Sequence, residues 1–136
     1  MTVQAKYMLD TNICIYIQKQ APHTLLSKFE NLKPGQAVIS VITWGELLYG
    51  AAKNKKTKSV FDLLNEFASL VPVQPIPSEC GKHYGKVRAE LEKQGLPIGN
   101  NDLWIAAHAL ASDLILVTNN TREFERIPGL KLENWA

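Results

Sequence analysis

At 136 residues, 46% apolar and 21% charged, the chain is long enough to bury a core without disulfides and too apolar to be disordered. A net charge of +2 does not by itself mark a nucleic-acid binder, and no run of apolar residues approaches the length of a membrane span. The N-terminus lacks the basic-then-apolar order of a secretion signal, so the expectation is a single soluble domain of the cytoplasm with no membrane partner. Cys14 and Cys80 stand at no zinc-ligand spacing and read as buried free thiols of a reducing compartment.

Tyr7-Met8-Leu9 has the length and character of a buried parallel strand, and it stops on Asp10-Thr11-Asn12. Ile13 to Gln20 and Pro22 to Leu32 read as two helices, closed by the break Lys33-Pro34-Gly35. Ala37 to Ser40 suits a second strand. Val41 to Lys53 follows as a helix with Val41, Trp44, Leu48 and Ala52 as its core stripe. A basic connection leads into a helix from Ser59 to Leu70, whose Val60, Leu63, Leu64 and Phe67 recur at helical spacing. Val71 to Ile76, interrupted by Pro72 and Pro75, admits only a short strand or an edge piece. Ser78 to Gln94 is an amphipathic helix with Cys80, Tyr84, Val87 and Leu91 on one side, and Gly95 ends it. After the loop 96–101, a helix from Asp102 to Ala111 is apolar nearly all round and belongs in the middle of the fold. Leu114 to Val117 is a third strand, Thr118-Asn119-Asn120 its turn, Arg122 to Arg126 a helical turn, and Lys131 to Glu133 a closing strand. Strands alternating with helices predict a parallel sheet wrapped by helices.

In such a sheet the strand ends and the helix N-termini beside them share one edge, which is where open α/β folds place their chemistry. That edge gathers Asp10 after the first strand, Glu46 in the helix after the second, Asp102 at the head of the central helix, and Asn120 after the Leu114 strand. At about 100° per residue, Glu46 lies just outside the apolar arc beside Ile42 and Tyr49, and Gly50 one turn on has no side chain to cover it. Each residue alone has a plain structural explanation. Asp10 and Asp102 suit helix starts, Glu46 suits a helix surface, and Asn120 suits a turn.

Four segments nevertheless resemble, in order, the signature blocks of PIN-domain ribonucleases. They are Met8-Leu9-Asp10-Thr11-Asn12, Ile42 to Gly50, Ile98 to Ala109, and Val117 to Phe124. The likeness is nearest to the VapC toxins of bacterial type II toxin–antitoxin modules. It implies a PIN-like three-layer α/β/α sandwich around a short central parallel sheet. It also implies an endoribonuclease that acts on structured RNA such as tRNA and leaves 5′-phosphate and 3′-hydroxyl ends. A VapB-type antitoxin would silence it, in a hetero-oligomer built on a toxin homodimer. By position the acidic site falls on Asp10, Glu46 and Asp102. Asn120 stands where many members carry a fourth Asp, which predicts a site with one fewer negative charge.

Phosphodiester hydrolysis by water needs a nucleophile generated at neutral pH and a cation at the developing charge, and Mg²⁺ or Mn²⁺ on clustered oxygen ligands supplies both. Asp10 and Asp102 are the expected metal ligands. Glu46 is expected to orient the attacking water or take its proton, with Thr11, Asn12, Thr118 and Asn120 holding waters or phosphate. RNA reaches an acidic hollow over a basic rim; the candidates are Lys53, Lys55, Lys56, Lys58, Lys82, Lys86, Lys93, Arg122 and Arg126. His23, His83 and His108 lie in separate helices away from the acidic turns, so an acid–base pair of histidines acting through the 2′-hydroxyl is disfavoured. The competing non-enzymatic reading is an inactive RNA-binding or scaffold module on the same fold.

Overall fold

Residues 3–136 are described by the computed structural model. The elements are β1 (Tyr7–Leu9), α1 (Thr11–Gln18), α2 (His23–Glu30), β2 (Ala37–Ser40), α3 (Val41–Ala52) and α4 (Thr57–Leu70), then β3 (Val73–Gln74), α5 (Cys80–Lys93), α6 (Asn100–Ala111), β4 (Ile115–Val117), α7 (Thr121–Phe124) and β5 (Leu132–Glu133). The strands form one parallel sheet in the order β3-β2-β1-β4-β5. From β1 the chain winds outward through β2 and β3, then returns to lay β4 against the other side of β1. The two windings part between β1 and β4, and a crevice opens there beyond the carboxyl ends of the strands.

Side-chain alternation along the strands builds two cores. Met8, Val38 and Leu116 face a cluster with Leu91, Leu103, Ile105, Ala106 and Phe124, from α5, α6 and α7. Leu9, Ile39 and Val117 face the opposite way, into a cluster with Ile13, Leu25, Leu47 and Leu64, from α1 to α4. The sheet is therefore the middle layer of three, as the α/β/α reading expected. Both cysteines are free and fully buried. At the end of α5, Gly95 takes φ +70°, while the amides of Gly95 and Leu96 reach back to the carbonyls of Glu92 and Leu91. This left-handed closure is the one that glycine permits most cheaply. Among the described residues no helix is long and apolar enough to cross a membrane.

Several boundaries and one face differ from the sequence reading. α1 starts directly after Asp10, and α6 starts at Asn100, which puts Asp102 inside the first turn. The inward stripe of α3 is Thr43, Leu47 and Ala51, not Val41, Trp44, Leu48 and Ala52. β2 runs into α3 with no intervening residue, and the Ser40 hydroxyl caps the helix by accepting from the Ile42 amide, so Val41 is turned toward solvent. Trp44 and Leu48 are half-buried at the flank of the same cluster. On α4, Leu64 and Phe67 are buried, but Leu63 is 59% exposed. Truncating Leu64 to Ala should cost about 2–5 kcal/mol in urea unfolding, whereas Leu63→Ala should stay within about 0.5 kcal/mol.

Candidate active site

Asp10 performs two tasks at once. Its Oδ1 caps α1 by accepting from the Ile13 amide at 3.0 Å, and its Oδ2 accepts from the Thr118 hydroxyl at the end of the neighbouring strand β4. Thr118 Oγ1 in turn accepts from the Asn120 amide at 3.0 Å. The carboxylate is almost wholly buried, and burial raises its pKa; the bonds from Thr118 and Ile13 oppose that rise, and nearby Glu46 adds to it.

Glu46 projects from α3 toward the same crevice. Thr11, the first residue of α1, donates its hydroxyl to Glu46 Oε1 at 2.8 Å, and Thr11 Oγ1 lies 3.4 Å from that of the buried Thr43. Asp102 stands half-buried in the first turn of α6 and makes no side-chain hydrogen bond among the described residues. Burial, followed by the charges of Glu123, Asp10 and Glu46, pushes its pKa up to about 6.

Glu123 is the member of the site that sequence reasoning missed. From α7 it accepts the Asn120 side-chain amide at 2.7 Å and the Gly99 backbone amide at 3.3 Å, and its charge is the strongest of those acting on Asp102. Asn120 itself brings no charge to the site, but its side-chain amide holds the Glu123 carboxylate there. The signal lay in Asn120-Thr121-Arg122-Glu123, an Asn followed three residues later by Glu at a helix start.

The Asp102 carboxylate thus feels the charges of Glu123, Asp10 and Glu46, which come from three other elements, and among the described residues no ion pair answers any of the four. The ion pairs among the described residues, Arg88 with Glu92 and Lys131 with Asp113, lie elsewhere on the surface. Among the described residues no three acidic, His or Cys side chains already stand in a compact metal cage. A hard divalent ion that keeps most of its waters needs only one or two carboxylates, and uncompensated oxygen donors of this kind fit it.

A family model for the PIN domain matches residues 7–130. The chain belongs to the PIN-domain family. Over 131 residues this PIN domain is 46% identical to the ribonuclease VapC2 of Haemophilus influenzae, across 96% of its own length and 98% of the relative's. It is 44% identical to the tRNA(fMet)-specific endonuclease VapC of Shigella flexneri, with the same coverage. Among solved structures, DNA-bound VapBC from Salmonella typhimurium superposes with a TM-score of 0.90 at 42% identity, covering 97% of this chain and 99% of that one. VapBC2 from Rickettsia felis, bound to a promoter DNA fragment, superposes at 0.87 with 43% identity, covering 98% and 100%.

The remaining predicted residues divide. Thr118 is fully buried, with its hydroxyl committed to Asp10 and the Asn120 amide, so it positions Asp10. Asn12 is exposed and, with Thr11, Glu46 and Lys53, lines an open groove of about 850 Å³. Lys86 and Arg126 line a different hollow, which none of the four carboxylates reaches, and Arg126 is tied to the Pro97 carbonyl at 3.2 Å. Lys55, Lys56, Lys58, Lys82, Lys93 and Arg122 are exposed. His108 is fully buried, as the sequence allowed; its Nδ1 lies 2.8 Å from Ser40 Oγ, and burial lowers its pKa.

A carboxyl with a pKa of 3.8 in the unfolded chain and about 6 in the folded one works against folding once pH rises through that interval. In EDTA, Asp102→Asn should therefore melt a few degrees above the unsubstituted chain at pH 7.5, with a gain that shrinks as pH falls toward about 4. Scanning calorimetry decides this: a variant that melts lower at pH 7.5 rules out charge repulsion at this position.

Proposed function

We propose that this PIN domain is the endoribonuclease toxin of a type II toxin–antitoxin pair and cuts RNA at the hollow formed by Asp10, Glu46, Asp102 and Glu123. The observation that carries the reading is the convergence of four carboxylates, none of them ion-paired, at the crevice where the two windings of the sheet part. Full-length similarity to VapC ribonucleases supports the same chemistry. RNA, in the form of tRNA or another structured molecule, is the substrate class. The partner is a VapB-type antitoxin, and the pair forms a hetero-oligomer, as the VapBC structures do. A reducing cytoplasm suits both the two free thiols and the substrate.

Asp10 and Asp102 are the residues proposed to hold Mg²⁺ or Mn²⁺, with Glu123 adding charge behind Asp102. When bound, such an ion lowers the pKa of water and balances the charge that develops on the phosphate oxygens. Everything else falls to the chain itself. Thr118 and the Ile13 amide fix both oxygens of Asp10, so this carboxylate would hold an ion without first reorganising. Thr11 holds one oxygen of Glu46, leaving the other to accept a proton from the attacking water. Water oxygen bonds to phosphorus, the bond from phosphorus to the 3′ oxygen breaks, the 3′ oxygen takes a proton from solvent, and the products carry 5′-phosphate and 3′-hydroxyl ends. Asn120 and the Gly99 amide keep Glu123 turned toward Asp102.

Purified protein stripped with EDTA should leave tRNA intact, cut it on addition of Mn²⁺ or Mg²⁺, and lose that activity in Asp10→Asn. Gel analysis and sequencing of the new 5′ ends give the readout, and cutting that persists in Asp10→Asn would overturn the assignment. Reversing the charges of Lys55 and Lys56 should weaken RNA binding and flatten its salt dependence by roughly 1.4 in log–log slope, at about 0.7 per phosphate contact on a single strand. Unchanged binding removes that loop from the rim.

A further inference from the structure

α3 carries a second stripe, nearly opposite its buried one. Gly45, Tyr49 and Lys53 follow one another at four-residue spacing on the side that lines the open groove of about 850 Å³, together with Glu46 and Thr11 of the active site. Tyr49 is 66% exposed, the highest value among the large apolar side chains described, and Lys53 Nζ lies over its ring at 4.7 Å from the centroid. A ring has two faces, and the lysine takes one. Around it the groove is roomy: a Cβ added to Gly45 or Gly50 meets nothing within 4 Å.

Other aromatic side chains near the site are already engaged. Tyr84 is stacked on Trp104 at 3.8 Å between centroids, and its hydroxyl is shared between Arg88 and Asn100. Tyr7 packs edge-on against the buried Trp135. Among the described residues, Tyr49 alone combines an open ring, a cation beside it, and a cavity shared with the Glu46 carboxylate.

We propose that Tyr49 and Lys53 form the platform for one nucleotide beside the scissile bond, the base stacking on the Tyr49 ring and Lys53 taking the adjoining phosphate. This rests on RNA cleavage at the four-carboxylate hollow. Tyr49 stands three residues beyond Glu46, about 4.5 Å along the helix axis and roughly 60° around it, so the two side chains border the same strip of groove. Lys53 is about one turn further, a distance on the scale of a single nucleotide step. The groove thus grades from the Glu46 carboxylate through an aromatic face to the Lys53 ammonium group, after which the chain continues into the exposed Lys55, Lys56 and Lys58. An RNA strand matches that order, with its phosphate on the cation at the acidic end and its next base and phosphate outward. Stacking of this kind accepts any base and gives grip without sequence readout.

The test uses the full chain with Asp10→Asn, which binds without cutting, and a short single-stranded RNA carrying 2-aminopurine. Removing the ring in Tyr49→Ala should weaken binding about 5- to 100-fold and relieve the quenching of the stacked fluorophore. Tyr49→Phe, which keeps the aromatic face, should retain both. Lys53→Ala should weaken binding several-fold and lower the salt slope by about 0.7. In the cutting-competent chain, Tyr49→Ala should raise KM far more than it lowers kcat. Equal affinity and quenching in Tyr49→Ala overturn the platform. So does a Tyr49→Ala chain that binds RNA normally but no longer pairs with its antitoxin or with a second copy of itself, since the surface then belongs to a protein partner. Failure of the unsubstituted chain to cut any RNA with Mn²⁺ would instead overturn the active-site reading and the platform together.

Discussion

Mutual repulsion among Asp10, Glu46, Asp102 and Glu123 is the constraint that the surrounding structure has to withstand, and it does so with neutral donors. The Ile13 and Gly99 amides, the hydroxyls of Thr11 and Thr118, and the side chain of Asn120 hold three of the four carboxylates in place. A lysine or arginine in any of those positions would hold a carboxylate equally well and quench the pull of the hollow on a cation. Neutral hydrogen bonds fix orientation while leaving the charge uncompensated. Asp102, the one carboxylate without such a donor, is also the one whose pKa climbs to about 6.

Holding like charges together requires a frame that does not yield, and the sheet supplies it. Residues of β1, β2 and β4 alternate between two buried clusters, so a strand cannot slip without moving large apolar side chains out of both. Asp10 and Thr118 sit one residue past adjacent paired strands, and their hydrogen bond closes the gap between the two windings. Beneath the site, His108 of α6 meets Ser40, the cap of α3, at 2.8 Å. That buried contact ties together the helices that carry Asp102 and Glu46.

Most of this frame was readable because apolar runs of three or four residues, each stopped by polar punctuation, leave few alternatives to a buried parallel strand. Asp10 and Asp102 are legible because a strand end and a helix start locate them without reference to tertiary contacts, and Glu46 because helical spacing sets it at the border of an apolar arc. Asp10 reads either as a helix cap or as a site residue; its Oδ1 does cap α1, and its carboxylate also stands within reach of the Glu46 charge. What the sequence hid was set by packing. The face of α3 depends on the absence of a connecting residue after β2, and Leu63 is exposed although it keeps helical spacing with Leu64 and Phe67. Glu123 is hidden because its place beside Asp102 depends on bonds from Asn120 and the Gly99 amide, which form only once α7 docks against the loop before α6. The basic rim divided because Lys86 and Arg126 line a separate hollow, a grouping that chain order does not reveal.

Helix α3 is built on two faces set about 200° apart, with Thr43, Leu47 and Ala51 packed inward and Gly45, Tyr49 and Lys53 left open, while Glu46 stands between them. The open row belongs to neither buried cluster. A substitution in that row therefore changes what the groove presents to solvent while leaving in place the frame that holds Asp10, Glu46 and Asp102.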